Sequence, residues 1–238
     1  MSERLCWHQH ADHTELAAAV AAIIALAARR SIRARSAFRL VLAGGTTPRG
    51  IYQRLAQRSA DWDRWVIFFG DERCLPAGQS GRNDVMAADA WLAHVPIPDS
   101  AVHTIPAELG PEAGAHRYRE ILAQVGDFDL VLLGLGEDGH TASLFPGACL
   151  GVGPDSPDVL AVDAAPKPPA ERVSLSARRL TRTRRLLFVA TGKSKRHALA
   201  QLVSGADIPA AAIRPAAGAD VHTDQPGLMP QLQGPHHD

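Results

Sequence analysis

The stretch DLVLLGLGEDGHTASLFP, running from Asp129 to Pro146, decides the fold. Leu130, Val131, Leu132, Leu133 and Leu135 make an apolar run broken only by Gly134. A strand covered by helices on both faces has no solvent side, so it reads as a continuous apolar run rather than an alternating one. The glycines that follow permit a sharp exit and deliver Glu137, Asp138, Gly139 and His140 in a tight polar turn. A carboxylate and an imidazole two residues apart therefore stand at the carboxyl end of a buried strand. That edge is where open α/β sheets bind their ligands.

Outward from this stretch, strand-like and helix-like segments alternate. Strands are expected at Phe38–Ala43, Val66–Gly70, Val102–Ile105, Leu130–Gly134, Arg172–Leu175 and Leu186–Thr191. Helices are expected at Leu16–Ala28, Pro48–Ala60, Asn83–His94, Pro111–Val125 and Lys193–Ser204. Asp12 or Thr14 suits the start of the first helix, and Arg29–Arg30 its negative end. This rhythm predicts an α/β fold, a mostly parallel sheet with helices on both faces, in one domain spanning 1–238. Two regions read as irregular: the Pro- and Gly-rich connection Gly147–Glu171, and a loosely ordered tail, Gln225–Asp238, with paired histidines.

Composition narrows the function. Apolar residues make up 46% of the 238, enough for a substantial core. Lys and Arg together number 25, as do Asp and Glu, so the net charge is zero and nucleic acid is not an expected partner. Aromatics, at 5%, are too sparse for base-stacking platforms. The longest apolar stretch, Leu16–Ala28, is too short to span a membrane and is preceded by His10, Asp12, His13 and Glu15 rather than a basic leader. Cys6, Cys74 and Cys149 lie far apart with no metal-ligand spacing, which suits free thiols in the cytoplasm.

Four polar motifs each follow an expected strand. Gly44-Gly45-Thr46-Thr47-Pro48 offers close backbone approach, free N–H groups and hydroxyls at a helix start, with Thr47 as the expected cap and Pro48 at the first helical position. Gly70-Asp71-Glu72-Arg73 supplies a guanidinium fork for phosphate or carboxylate, and in Asp71 a proton acceptor or hydroxyl-orienting group. Arg82 and Asn83 open the next helix and are expected to line the same pocket. The third motif is the Asp138/His140 turn. Its Gly134, Gly136 and Gly139 match G-x-G-x-x-G, yet Pro146 and Gly147 leave no room for the helix a dinucleotide needs, so no nicotinamide cofactor is expected. The fourth is Thr191-Gly192-Lys193-Ser194-Lys195-Arg196, whose lysines oppose a helix dipole unless an anion sits there. In a parallel sheet all four open onto one edge, where an anion site and an Asp/His proton-transfer pair converge.

Taken together, LAGGTTPRGIY, FFGDERCLP, RNDVMAADAWL, LLGLGEDGHTASLFPG, RVSLS and LFVATGKSKRHAL resemble the 6-phosphogluconolactonase family, from about Leu42 to Leu199. The resemblance implies a Rossmann-like fold related to amino-sugar-phosphate deaminases and ribose-phosphate isomerases. It implies hydrolysis of 6-phosphogluconolactone to 6-phosphogluconate, the second step of the oxidative pentose phosphate pathway, with a small sugar-phosphate lactone as substrate and neither nucleic acid nor membrane as a partner. The nearest rival reading is the related glucosamine-6-phosphate deaminase, whose corresponding segment resembles DGHIAFNEP, with a glutamate where this chain has Phe145. A non-catalytic sugar-phosphate sensor is the other alternative, and no DNA-reading segment accompanies it here. On the lactonase reading, His140 is the general base and then the acid, Asp138 orients it or the water, and Arg73 or turn N–H groups stabilise the oxyanion. Gly44, Gly45, Thr46, Thr47 and Lys195 hold the phosphate, with Arg82 or Arg172 as helpers, and neither metal nor cofactor is required.

Overall fold

Seven parallel strands form the central sheet of the computed structural model, which describes residues 5–228. In chain order the elements are β1 (Leu5–Gln9), α1 (His13–Arg35), β2 (Phe38–Leu42), α2 (Thr46–Ala56), β3 (Trp65–Phe69), β4 (Asp71–Arg73), α3 (Asn83–Ala90), β5 (Val102–His103) and α4 (Pro111–Leu122). Then follow β6 (Leu130–Gly134), β7 (Val159–Val162), β8 (Arg172–Leu175), α5 (Ala177–Thr181), β9 (Leu186–Ala190), α6 (Arg196–Ser204) and β10 (Ala219–Thr223). The large sheet runs β1-β10-β9-β6-β2-β3-β5, and a small antiparallel sheet runs β4-β8-β7.

The apolar runs explain the centre. Leu130 to Leu133 are all buried, with β6 paired to β2 on one side and β9 on the other. Alternation along β3 separates the two faces. Trp65 meets Trp91 at 5.6 Å, beside Tyr52 of α2, while Phe68 on the opposite face meets Phe128, which lies under the Arg179 guanidinium of α5. Helices therefore cover both faces, as expected. Two buried tyrosines pin strand ends: Tyr52 Oη contacts the N–H and C=O of Ala43, and Tyr118 Oη accepts from Phe69 N–H at 3.0 Å.

Several boundaries differ from expectation. α1 runs on to Arg35, so Arg33 and Arg35, rather than Arg29–Arg30, occupy its last turn; Asp12 is its cap, accepting from Glu15 N–H at 2.8 Å. α2 starts at Thr46 with Gly45 in the cap position and no side-chain cap, so Thr47 lies inside the first turn and Pro48 behind it. The helix from Asn83 breaks at Trp91 into a 3₁₀ turn, Leu92–His94. Arg172–Leu175 joins the antiparallel sheet, not the parallel one. The connection 147–171 contains β7. In the tail, Gln225 is buried, and the paired histidines lie outside the described residues.

β1 and β10 were not expected, because both carry polar residues. They pair with each other instead of with solvent. His8 Nε2 is 2.9 Å from Asp220 Oδ1, His10 Nε2 is 3.0 Å from His222 Nδ1, and Arg185 donates to Asp220 at 2.9 Å. His222 is fully buried and stacked on His8 at 4.5 Å, with Nε2 unpartnered. Burial first, then His8 and His10, push its pKa down to about 3, with Arg185 adding and Asp220 opposing. An imidazole held below its ordinary value of 6.5 stabilises the fold fully above that value and withdraws its contribution as pH falls toward about 3. Melting temperature is expected to drop across that window and to drop less in His222→Phe; an unchanged slope would clear His222 of the effect.

Candidate active site

Strand order locates a crevice. From β2 the chain moves outward to β3 and β5, then returns to β6 on the other side of β2 and continues to β9 and β10. The direction reverses between β2 and β6, so the connections leaving their carboxyl ends diverge and leave a cleft. The segments after β9, β6, β2 and β3 are adjacent along that edge, and they carry the four polar motifs.

The turn after β6 closes on itself. Gly136 N–H donates to His140 C=O at 2.7 Å, Gly139 N–H to Gly136 C=O at 3.2 Å, and Thr141 Oγ1 to Gly134 C=O at 2.7 Å. His140 lies so close over Gly136 that a Cβ there would be 2.0 Å from Nδ1. Its other side rests on Phe145, ring centroids 4.7 Å apart. Asp138 Oδ1 accepts a short hydrogen bond from His140 Nδ1. Burial works to raise the Asp138 carboxyl, but the bond and charge of His140 outweigh it and hold the pKa below the ordinary value. An ionised carboxylate only accepts, so the proton of this bond sits on Nδ1, and in the neutral tautomer that this selects the lone pair is on Nε2. Nε2 has no hydrogen-bond partner among the described residues.

Beside this turn, Arg73 and Arg172 stand directly opposite across the β4–β8 pair. Like charges in such a register repel, so the arrangement favours an anion between or above them. Burial, and to a lesser degree Arg73, lowers the Arg172 pKa against the pull of Asp71. Arg172 lies 5.7 Å from the Phe145 ring centroid and donates to the carbonyls of Pro169 and Lys167 at 3.0 and 2.9 Å. Arg73 donates from Nη1 to Gly81 C=O, and its Nε is buried without a partner. Asp71 is buried and fully engaged: Ser143 Oγ donates to Oδ2 at 2.6 Å and Asn83 Nδ2 to Oδ1 at 3.1 Å. Asn83 in turn fills the space over Gly44, whose Cβ would fall 2.0 Å from Asn83 Oδ1. A continuous chain, Gly44–Asn83–Asp71–Ser143, thus ties the β2, β3 and β6 edges together.

Arg82 departs from expectation. Its side chain is 2% exposed and its guanidinium is spent on Asp84, Glu108 and the carbonyls of Leu75 and Ile105. It ties Leu75, Asp84, Ile105 and Glu108 together, with its N–H donors already engaged. Thr47 is joined by a 2.7 Å hydroxyl–hydroxyl hydrogen bond to Thr191, which brings the start of α2 against the segment that carries Lys195. Lys195 closes a 3₁₀ turn, Lys193–Lys195, is half-buried, and has no ion-pair partner among the described residues.

Three residues escape a motif-based reading. Glu72, fully buried, accepts N–H bonds from Arg73, Asn83 and Asp84 at 2.8, 2.7 and 2.9 Å, and burial pushes its carboxyl up to about 7 against those donors. Ser143 fixes Asp71, and Thr191 fixes Thr47. Ser143 and Thr191 read only as polar residues in motifs because their partners lie 72 and 144 residues away, and Glu72 because nothing local discloses that its carboxylate is buried. Among the described residues no group of three or more His, Cys, Asp or Glu is arranged to hold a metal ion, and no helix is long and apolar enough to cross a membrane.

Comparison with known proteins gives consistent matches. Residues 11–222 match the family model described as glucosamine-6-phosphate isomerases/6-phosphogluconolactonase. The chain is 36% identical over 222 residues to a 6-phosphogluconolactonase of Mycobacterium leprae, covering 87% of this chain and 88% of the relative. It is 37% identical over 229 residues to one of Streptomyces coelicolor, covering 88% and 86%. Among solved structures, the 6-phosphogluconolactonase of Thermotoga maritima superposes with a TM-score of 0.85 at 27% identity, covering 92% of this chain and 99% of that one. A monomeric glucosamine-6-phosphate deaminase, at 23% identity and a TM-score of 0.79, shares the fold.

Proposed function

The chain belongs to the glucosamine-6-phosphate isomerase/6-phosphogluconolactonase family, and from that premise we propose that it hydrolyses 6-phospho-D-glucono-1,5-lactone to 6-phospho-D-gluconate. The observation that carries this reading is a shared edge: His140 with a free Nε2, the opposed Arg73 and Arg172, and the Thr47–Thr191 cradle all open on the carboxyl side of the same strands.

In the proposed mechanism Nε2 of His140 takes a proton from water as it adds to the lactone carbonyl. Ionised Asp138 stabilises the imidazolium, which then gives its proton to the departing ring oxygen. Arg73, or an N–H of the glycine turn, stabilises the developing oxyanion. Guanidinium stays protonated, so neither arginine is the acid. Gly44, Gly45, Thr46, Thr47 and Lys195 receive the phosphate, and Arg172 supports it. Asp71 and Asn83 set the walls between the two ends of the substrate. We place the reaction in the cytoplasm, as the second step of the oxidative pentose phosphate pathway; the three free cysteines suit that reducing compartment.

Phe145 favours the lactone over an amino sugar, because its buried apolar ring stands against His140 where a ring-opening proton relay needs a carboxyl group. The test is acid release from freshly prepared 6-phosphogluconolactone, measured above its spontaneous hydrolysis. Ammonia release from glucosamine 6-phosphate without lactone hydrolysis would overturn the proposal. Lys195→Ala is expected to raise KM about tenfold, the size of a lost charge-assisted contact, with kcat little changed. An unchanged KM would take Lys195 out of the phosphate site.

A further inference from the structure

The segment after β10 runs alongside the loop that carries Lys195. Asp224 accepts the Gly192 N–H with both carboxylate oxygens, at 2.9 and 3.1 Å. Gln225, itself buried, donates from Nε2 to Asp224 Oδ1 at 2.6 Å and anchors its own N–H on Thr223 Oγ1 at 3.1 Å. At the next residue, the Pro226 carbonyl accepts from Arg196 Nη1 at 3.0 Å. The carboxylate is therefore held from behind, and it holds the loop in front.

What it holds is the hinge of the cation. Gly192 has φ +93, in the left-handed region, and its C=O accepts the Lys195 N–H at 3.1 Å to close the 3₁₀ turn. One residue earlier, Thr191 is bonded to Thr47. The path Asp224–Gly192–Lys195 is thus continuous, and the loop is fastened at two points, one on α2 and one on the segment after β10. The two lysines of this turn face an unfavourable dipole at the start of α6. Asp224 takes the Gly192 N–H, and Lys195 keeps no ion-pair partner among the described residues.

We propose that Asp224 is a positioning residue for substrate binding, fixing the Gly192 turn so that Lys195 meets the phosphate of a sugar phosphate. This rests on the assignment of Lys195 to the phosphate site. The experiment measures kcat and KM for 6-phosphogluconolactone in Asp224→Ala, Asp224→Asn and Lys195→Ala, with folding checked by circular dichroism.

Asp224→Ala is expected to raise KM about fivefold or more, in line with one lost charge-assisted hydrogen bond, with kcat within about twofold. Asp224→Asn keeps an acceptor for the Gly192 N–H and is expected to keep KM within about twofold of the parent. If Asp224→Ala does not fold, Asp224→Glu, which keeps the charge but displaces the carboxylate by one methylene, takes its place with the same expected rise. A raised KM in Lys195→Ala beside an unchanged KM in Asp224→Ala overturns the role of Asp224 and leaves the phosphate assignment standing. An unchanged KM in Lys195→Ala overturns both. Equal losses in the Asn and Ala variants, or a fall in kcat alone, overturn the positioning account.

Discussion

His140→Ala is expected to lower kcat by about 100-fold or more, with KM little changed and the melting temperature close to the parent's. The ring makes no contact that the core depends on: it rests on Phe145, faces Asp138 and leaves Nε2 free. Its removal deletes the base and the acid together, while Arg73, Arg172 and the cradle remain to bind and polarise the lactone. Residual activity above water is therefore expected. The assay must resolve that residue from spontaneous ring opening, so rates belong at low temperature and slightly acidic pH. A loss of only a few-fold in the folded variant would reject His140 as the proton carrier.

Gly136→Ala is expected to give a comparable loss of kcat, about 100-fold, without removing any group that does chemistry. A methyl at this position would fall 2.0 Å from His140 Nδ1 and 2.2 Å from Cε1. No rotamer change of the methyl exists to relieve this, so the imidazole has to leave its seat and with it the Asp138 bond that selects the reactive tautomer. Gly126→Ala, where nothing lies within 4 Å, is the control and should keep kcat within about twofold. Full activity in Gly136→Ala would show that the chemistry does not need the ring in this seat.

The parts of the fold that the sequence predicts well are those whose signal is local. β6 appears at its expected residues because a strand buried on both faces must be apolar throughout. β1 and β10 escape prediction because their polar residues satisfy one another across the pair, and no single segment discloses that. β4 escapes because Asp71-Glu72-Arg73 reads as a turn, yet its backbone pairs with β8 while Glu72 gathers three N–H groups. For the candidate site the limit is similar. Residue types at strand ends pointed to Asp138, His140 and Arg73. Arg82 was expected beside them for the same reason, but its five donors are taken up by Asp84, Glu108 and two carbonyls. Chemical type marks what a side chain can bind; only the fold decides whether those donors are already spent.

The pairing of Leu5 with Ala219 carries a consequence for biosynthesis. Among the described strands β1 pairs only with β10, so its pairing must wait until that distant segment has been made. Until β10 emerges, β9 lies open at the border of the growing sheet, and nascent chains are exposed there to wrong partners. A chaperone that shields this border during elongation would act on the step most prone to failure.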